Sequence, residues 1–251
     1  MTGCGATKAM RGLGASIALL AMSSAAGAEG LGDMFDIAFG AAVTNDYVYR
    51  GISQTDGDPA IQGYLELDYG IVYAGVWASN VDFYTPDTEI DTSIGIRPEL
   101  DNAAFDLGYV HYFYAVDTSP DYGELYALAE YYATDSLTLG GNVYFAPDYA
   151  QGDDTATYVE ATIDYALPAN FGVSGGLGYQ AFGSKLDLPD YTTWNAGVYW
   201  SWDDSVTLDL RYTDSDLSKG QCYDLMSRHA CGARFMATLS FDTAVSAFVG
   251  N

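Results

Sequence analysis

From residue 34 onward the chain repeats one pattern, segments of roughly ten residues in which apolar and polar positions alternate. In ATYVEATIDYAL (156–167), Val159, Ala161, Ile163 and Tyr165 fall on one face, while Tyr158, Glu160, Thr162 and Asp164 fall on the other. VTLDLRYT (206–213) sets Leu208, Leu210 and Tyr212 against Asp209 and Arg211, and IQGYLELDY (61–69) sets Ile61, Leu65 and Leu67 against Tyr64, Glu66 and Asp68. Successive side chains of a strand point to opposite faces, so the pattern predicts strands with one apolar and one polar face. About twelve segments qualify, near 34–50, 60–69, 71–83, 89–98, 104–115, 123–133, 137–147, 155–167, 170–182, 190–201, 205–216 and 232–242.

The connections sharpen this. Tight ones (Tyr69-Gly70, ELDNA, TDS, LPAN, DDS) alternate with longer, Asp-rich ones (SQTDGDP, YTPDT, VDTSPDY, PDYAQGDD, GSKLDLPD and SDLSKGQCYDLMSRHAC). Short turns at one end, long loops at the other and an even strand count are the layout of an outer-membrane barrel. A secreted β-sandwich is the rival, but its loops need not alternate so regularly. The predicted fold is therefore all-β: a transmembrane antiparallel up-and-down β-barrel of about 12 strands, with both ends periplasmic. In hydrocarbon a strand finds backbone partners only in a closed sheet, so the apolar face meets lipid and the polar face lines the interior. Aromatics at strand ends (Tyr47, Tyr49, Tyr69, Tyr73, Trp77, Phe83, Tyr84, Tyr165, Tyr191, Trp194, Trp200 and Trp202) are expected to form girdles at the two membrane interfaces.

Composition and the N-terminus fit an exported protein. Lys8 and Arg11 precede the short apolar stretch GLGASIALLAMSSAAGA, which ends in Ala26-Gly27-Ala28. A basic start, a short apolar core and a small-x-small site predict a cleaved signal peptide over 1–28, followed by the barrel over 29–251; a start at Met10 gives the more typical leader. The chain holds 34 Asp plus Glu against 9 Lys plus Arg, a formal charge of −25. Such a chain has no basic patch to neutralise phosphates, which excludes nucleic acid as a partner. With 49% hydrophobic residues it has ample apolar surface to bury, which excludes disorder.

The stretch TNDYVYRGISQTDGDPAIQGYLEL followed by GIVYAGVWASNVDF resembles the opening of the TorF family of proteobacterial outer-membrane porins. EIDTSIGI, FDLGYVHYFY, ELYALAEYY, YVEATIDYALP, DYTTWNAGVYW and the paired late cysteines continue the likeness, in order, across nearly all of 34–242. The resemblance implies an outer-membrane barrel and a porin role, with no substrate and no site residues attached. Family members typically finish on an aromatic that closes the last strand; Phe241 matches it, but here the chain runs on through DTAVSAFVGN.

Alternation places Asp46, Glu66, Asp68, Asp82, Asp91, Asp106, Glu124, Glu130, Glu160, Asp164 and Asp209 in the lumen, against Arg50, Arg97, Arg211 and Arg234. Carboxylates in a narrow wet pore favour cations. A salt-bridged filling with no conductance is the competing reading. Cys222 and Cys231 flank the longest outer loop and, in an exported chain, predict a disulfide; with His229 they lack the paired spacing of a structural zinc site. No metal or other cofactor is expected, since the acidic loops match no full calcium-loop motif. Neither His111, predicted to face lipid, nor His229 accompanies a serine motif, so an enzyme is not expected. The sequence thus reads as an outer-membrane channel for passive diffusion of small solutes, biased to cations. Outer-membrane lipid, lipopolysaccharide, periplasmic chaperones and the barrel-assembly machinery are its expected partners. The alternative is a closed barrel with a structural or surface-interaction role.

Overall fold

The computed structural model describes residues 35–83, 85–115, 119–203 and 205–248; the leader expected over 1–28 and Tyr84 lie outside the described residues. In chain order the strands begin with β1 (Phe35–Thr44), β2 (Val48–Tyr49), β3 (Ile52–Ser53), β4 (Ala60–Tyr69), β5 (Val72–Asp82), β6 (Pro86–Ile96), β7 (Glu99–Leu100) and β8 (Ala103–Tyr114). They continue with β9 (Tyr122–Tyr132), β10 (Leu137–Ala146), β11 (Ala156–Ala166), β12 (Phe171–Phe182), β13 (Tyr191–Trp202) and β14 (Val206–Ser215). A short helix, α1 (Lys219–Leu225), precedes β15 (Arg234–Ala244).

Apart from β2, β3 and β7, the strands form one antiparallel sheet in which β1 pairs with β15 and β6 pairs with β8. That ring is a closed barrel of twelve strands. Each barrel strand is 10 to 12 residues long, enough to cross a hydrocarbon layer at a tilt. Parity follows the sequence. Ile61, Leu65 and Leu67 stand exposed on the outer wall of β4, and Glu66 between them is buried inside.

Most boundaries agree within two residues, and three differences bear on the loops and the closing seam. The first strand stops at Thr44, not near residue 50, and 46–55 turn into the barrel while 56–59 stay exposed. Strand β6 starts at Pro86, so residues 86–88 of the expected long loop over 84–88 are strand instead. Strand β15 runs past Phe241 to Ala244, still paired with β1 at Ala38. Beyond it Ser246 donates from both N and Oγ to the Asp36 carboxylate, pinning the extension to the closing seam.

The girdle expectation is corrected in part. Tyr69, Tyr165, Trp200 and Trp202 do stand exposed near the short turns, and Trp194 faces outward opposite Leu177. Tyr47, Tyr73, Trp77 and Tyr191 are instead buried inside, and Tyr49 and Phe83 are half-buried there. Tyr73, Trp77 and Tyr191 carry the inward parity of their strands, while Tyr47 and Tyr49 travel inward with the first loop.

Several inner tyrosines lie flat because the facing residue is glycine. Gly95 sits opposite Tyr73 and Gly108 opposite Tyr126, and a Cβ on either glycine would strike the ring. Gly108→Val should therefore displace Tyr126 and cost about 1–3 kcal/mol. The expected readout is a lower temperature for losing the compact, SDS-resistant band on gels; an unchanged transition would mean that the ring is not seated there.

Candidate functional site

The lumen is organised by the loop that turns inward. Asn45 ends β1 by occupying its neighbour: its Nδ2 donates to the Phe235 carbonyl (3.1 Å) and its Oδ1 accepts from the Ala237 amide (2.6 Å). Asp46 then anchors the loop, accepting from Ser53 Oγ (2.6 Å), Thr55 Oγ1 (3.1 Å) and Arg234 Nη1 (2.7 Å). Between these anchors β2 and β3 form a hairpin with a two-residue turn, Arg50-Gly51. Both turn residues have positive φ, 48° and 77°. Such turns favour Asn-Gly, and a left-handed arginine costs on the order of 1 kcal/mol. What Arg50 gains from its side chain must exceed that cost.

The gain is a buried ion pair. Arg50 Nη1 and Nη2 donate to Glu124 Oε1 and Oε2 at 2.9 and 2.7 Å, and Nη1 also reaches Gln180 Oε1 at 3.2 Å. The rings of Tyr49, Tyr158 and Tyr144 surround the guanidinium with centroids 4.5, 4.6 and 4.8 Å from its carbon. Glu124 Oε2 accepts further bonds from Tyr112 (2.9 Å) and Tyr49 (3.2 Å). Arg50 is 3% exposed and Glu124 0%. A fork-to-carboxylate pair with its remaining positions filled is the arrangement in which a buried pair survives desolvation.

The hairpin is also tied from outside. The expected Cys222–Cys231 disulfide is present, α1 is capped by Ser218 and Gln221, and Ile52 pairs across to Cys231. The Ser53 amide donates to the Ala230 carbonyl at 2.8 Å, and Ser227 Oγ donates to Asp56 at 2.8 Å. The disulfide loop therefore braces the lumen hairpin as well as stiffening its own surface.

The other charges fall into separate groups. Nearer the short turns, Arg97 bonds Glu66 (Nη2 to Oε2, 3.0 Å) and Asp106 (3.1 Å), approaches Asp68 at 3.6 Å and lies 3.7 Å from the Tyr73 centroid. On the opposite wall Arg211 bonds Asp209 (2.9 Å), Asn195 (2.6 Å) and Ser174 (2.8 Å). Glu160 accepts from Asn142 and Asn195, Glu130 from Tyr132 and Asp164 from Tyr199. Asp91 is buried on the inner wall of β6 with neither oxygen hydrogen-bonded. Asp82, expected in the lumen, takes the outward parity at the end of β5, opposite Pro86. Arg234 is half-buried on the inner wall beside Asp46. His111 faces outward between Tyr109 and Phe113, and His229 is exposed in the outer loop.

Sequence reasoning missed Glu89, Gln180 and the tyrosines around Arg50. Glu89 shares the period-two parity of Asp91, which was a usable signal; the ring cage joins residues more than 70 positions apart and left none.

A family model described as a bacterial protein of unknown function, Gcw_chp, matches residues 28–241. The chain belongs to the Gcw_chp family. No functionally curated protein matches this Gcw_chp chain in sequence. Among solved structures its fold is similar to the KdgM porin at 10% identity and TM-score 0.55, over 82% of this chain and 98% of that one. A second structure, titled KdgM porin in complex with disordered oligogalacturonate, matches at 9% identity and 0.56, over 82% and 98%. The NanC porin matches at 11% and 0.52, over 82% and 97%. At these identities the likeness is one of fold.

A double-mutant cycle tests the pair in this Gcw_chp barrel. Arg50→Asn relaxes the turn but strands Glu124, and Glu124→Gln strands the arginine; each should cost about 2–4 kcal/mol in detergent unfolding. The double variant should lose clearly less than the two single losses combined. Strict additivity would show no coupling between the two side chains.

Proposed function

We propose that this Gcw_chp protein is an outer-membrane channel for passive diffusion of small solutes, with a preference for cations. The observation that carries the proposal is the charge of the inner wall. Buried carboxylates there (Glu66, Glu89, Asp91, Asp106, Glu124, Glu130 and Asp164) outnumber the arginines Arg50, Arg97, Arg211 and Arg234. A confined aqueous path beside uncompensated carboxylate concentrates cations and repels anions. The resemblance of its segments to the TorF porins supports the same reading, as does the likeness of its barrel to the KdgM and NanC folds. Lipid, lipopolysaccharide and the barrel-assembly machinery are the partners this location brings.

A closed barrel is the second reading, favoured by the hairpin that fills the centre around Arg50. Planar-bilayer recording of the folded protein separates the two. Discrete conductance steps, with a reversal potential under a KCl gradient that reports cation preference, are expected, and the preference should weaken as salt rises. No steps from the wild type, with steps appearing in Glu124→Gln, would establish a plug. Anion preference at neutral pH would refute the charge argument alone.

A further inference from the structure

Between the lumen hairpin and the outer loops lies a cavity of about 220 Å³. One side of it is a continuous arc of rings. Tyr112 packs on Tyr122 (centroids 4.8 Å apart), Tyr122 on Tyr149 (4.9 Å), Tyr149 on Phe182 (5.3 Å) and Phe182 on Tyr191 (6.4 Å). All five line the cavity, and so does the Glu89 carboxylate.

The charges around this space do not balance. Glu89 is 3% exposed and accepts from the Tyr47 hydroxyl at 3.0 Å, but no arginine or lysine among the described residues bridges to it. One inward position deeper on β6, opposite the ring of Tyr112, Asp91 is also 3% exposed, and both its oxygens are buried without a hydrogen-bond partner. Arg50, the cation in the cavity wall, is already spanned by both oxygens of Glu124. Among the described residues, therefore, neither Glu89 at the aromatic wall nor Asp91 behind it has a positive partner, and burying charge in that state is costly.

We propose that this cavity binds small organic cations: ammonium-bearing solutes whose charge is held by Glu89, with Asp91 buried behind it adding to the negative field, and whose carbon skeleton packs on the Tyr112–Tyr191 arc. Ring faces attract a desolvated ammonium, and a carboxylate beside them selects it over a neutral solute of equal shape. The volume admits a solute of a few carbons and excludes an oligomer. The binding claim stands on the cavity itself; only the inference that such cations are the solutes carried rests on the channel reading.

The test uses choline and its neutral isostere 3,3-dimethylbutan-1-ol, titrated calorimetrically into the folded full chain. Choline should bind at least about tenfold more tightly than the isostere, Glu89→Gln should weaken choline by about tenfold or more, and Asp91→Asn should weaken it by a smaller factor. Thermal unfolding of the same variants should be unchanged or shifted upward, because each removes an uncompensated buried charge. Tyr149→Leu, which alters an outer loop and leaves the strands intact, should weaken choline without rescuing the isostere. Equal binding of the two probes, no choline binding by the wild type, or full binding by Glu89→Gln would overturn the proposal. Choline binding by a protein that gives no bilayer steps would uphold this site and refute the channel; steps without choline binding would do the reverse.

Discussion

A chain that crosses hydrocarbon as strands must pair every backbone N–H and C=O within itself, because lipid offers no partner. The pairing of β1 with β15 meets that demand by removing the last free edges of the sheet. Most other features of the molecule follow from the closure. Once the sheet is a ring, each strand has one lipid face and one inner face, so the outer wall is mainly Leu, Ile, Val and aromatic, while the carboxylates and arginines of the strand middles take the inside and outward acids such as Asp82 stand at strand ends. The inside is then a crowded polar space whose charges must find one another. Arg50, Arg97 and Arg211 each hold a separate group of partners on a different part of the wall.

The central group differs from the other two in how its cation arrives. Arg97 and Arg211 extend from the wall, whereas Arg50 is delivered by a hairpin whose turn geometry suits asparagine better. Local backbone preference is overruled by a non-local contact, the kind of conflict that marks a position kept for more than folding. The hairpin in turn shapes the space above it: with Arg50 committed to Glu124, no cation among the described residues bonds Glu89 or Asp91. One ion pair thus sets both how the hairpin narrows the lumen and the charge left around the cavity above it.

What was legible in the sequence is what depends on local alternation. Strands such as 156–166 and 206–215, the parity of Glu66 against Leu65 and Leu67, and the Cys222–Cys231 bridge could all be read from spacing and composition. The inward turn of 46–55 could not. Tyr47, Val48 and Tyr49 continue the look of a strand, and what ends β1 is the Asn45 side chain bonding to β15, about 190 residues away in sequence. The same blindness put Tyr47, Tyr73 and Trp77 at the lipid interfaces: a tyrosine near a strand end looks alike in a girdle and in a cage. Asp82 was misplaced because its strand was taken as inward-facing at a residue of outward parity.

The central claim is that residues 47–55 form a fixed part of the barrel interior and are not a mobile outer loop. Amide hydrogen exchange of the folded protein in detergent measures this directly. The amides of Ser53 and Gln54, bonded to Ala230 and Tyr47, should exchange as slowly as those of the neighbouring wall strands and should lose most of that protection in Glu124→Gln. Exchange in the wild type as fast as that of the outer loop at 183–190 would contradict the account.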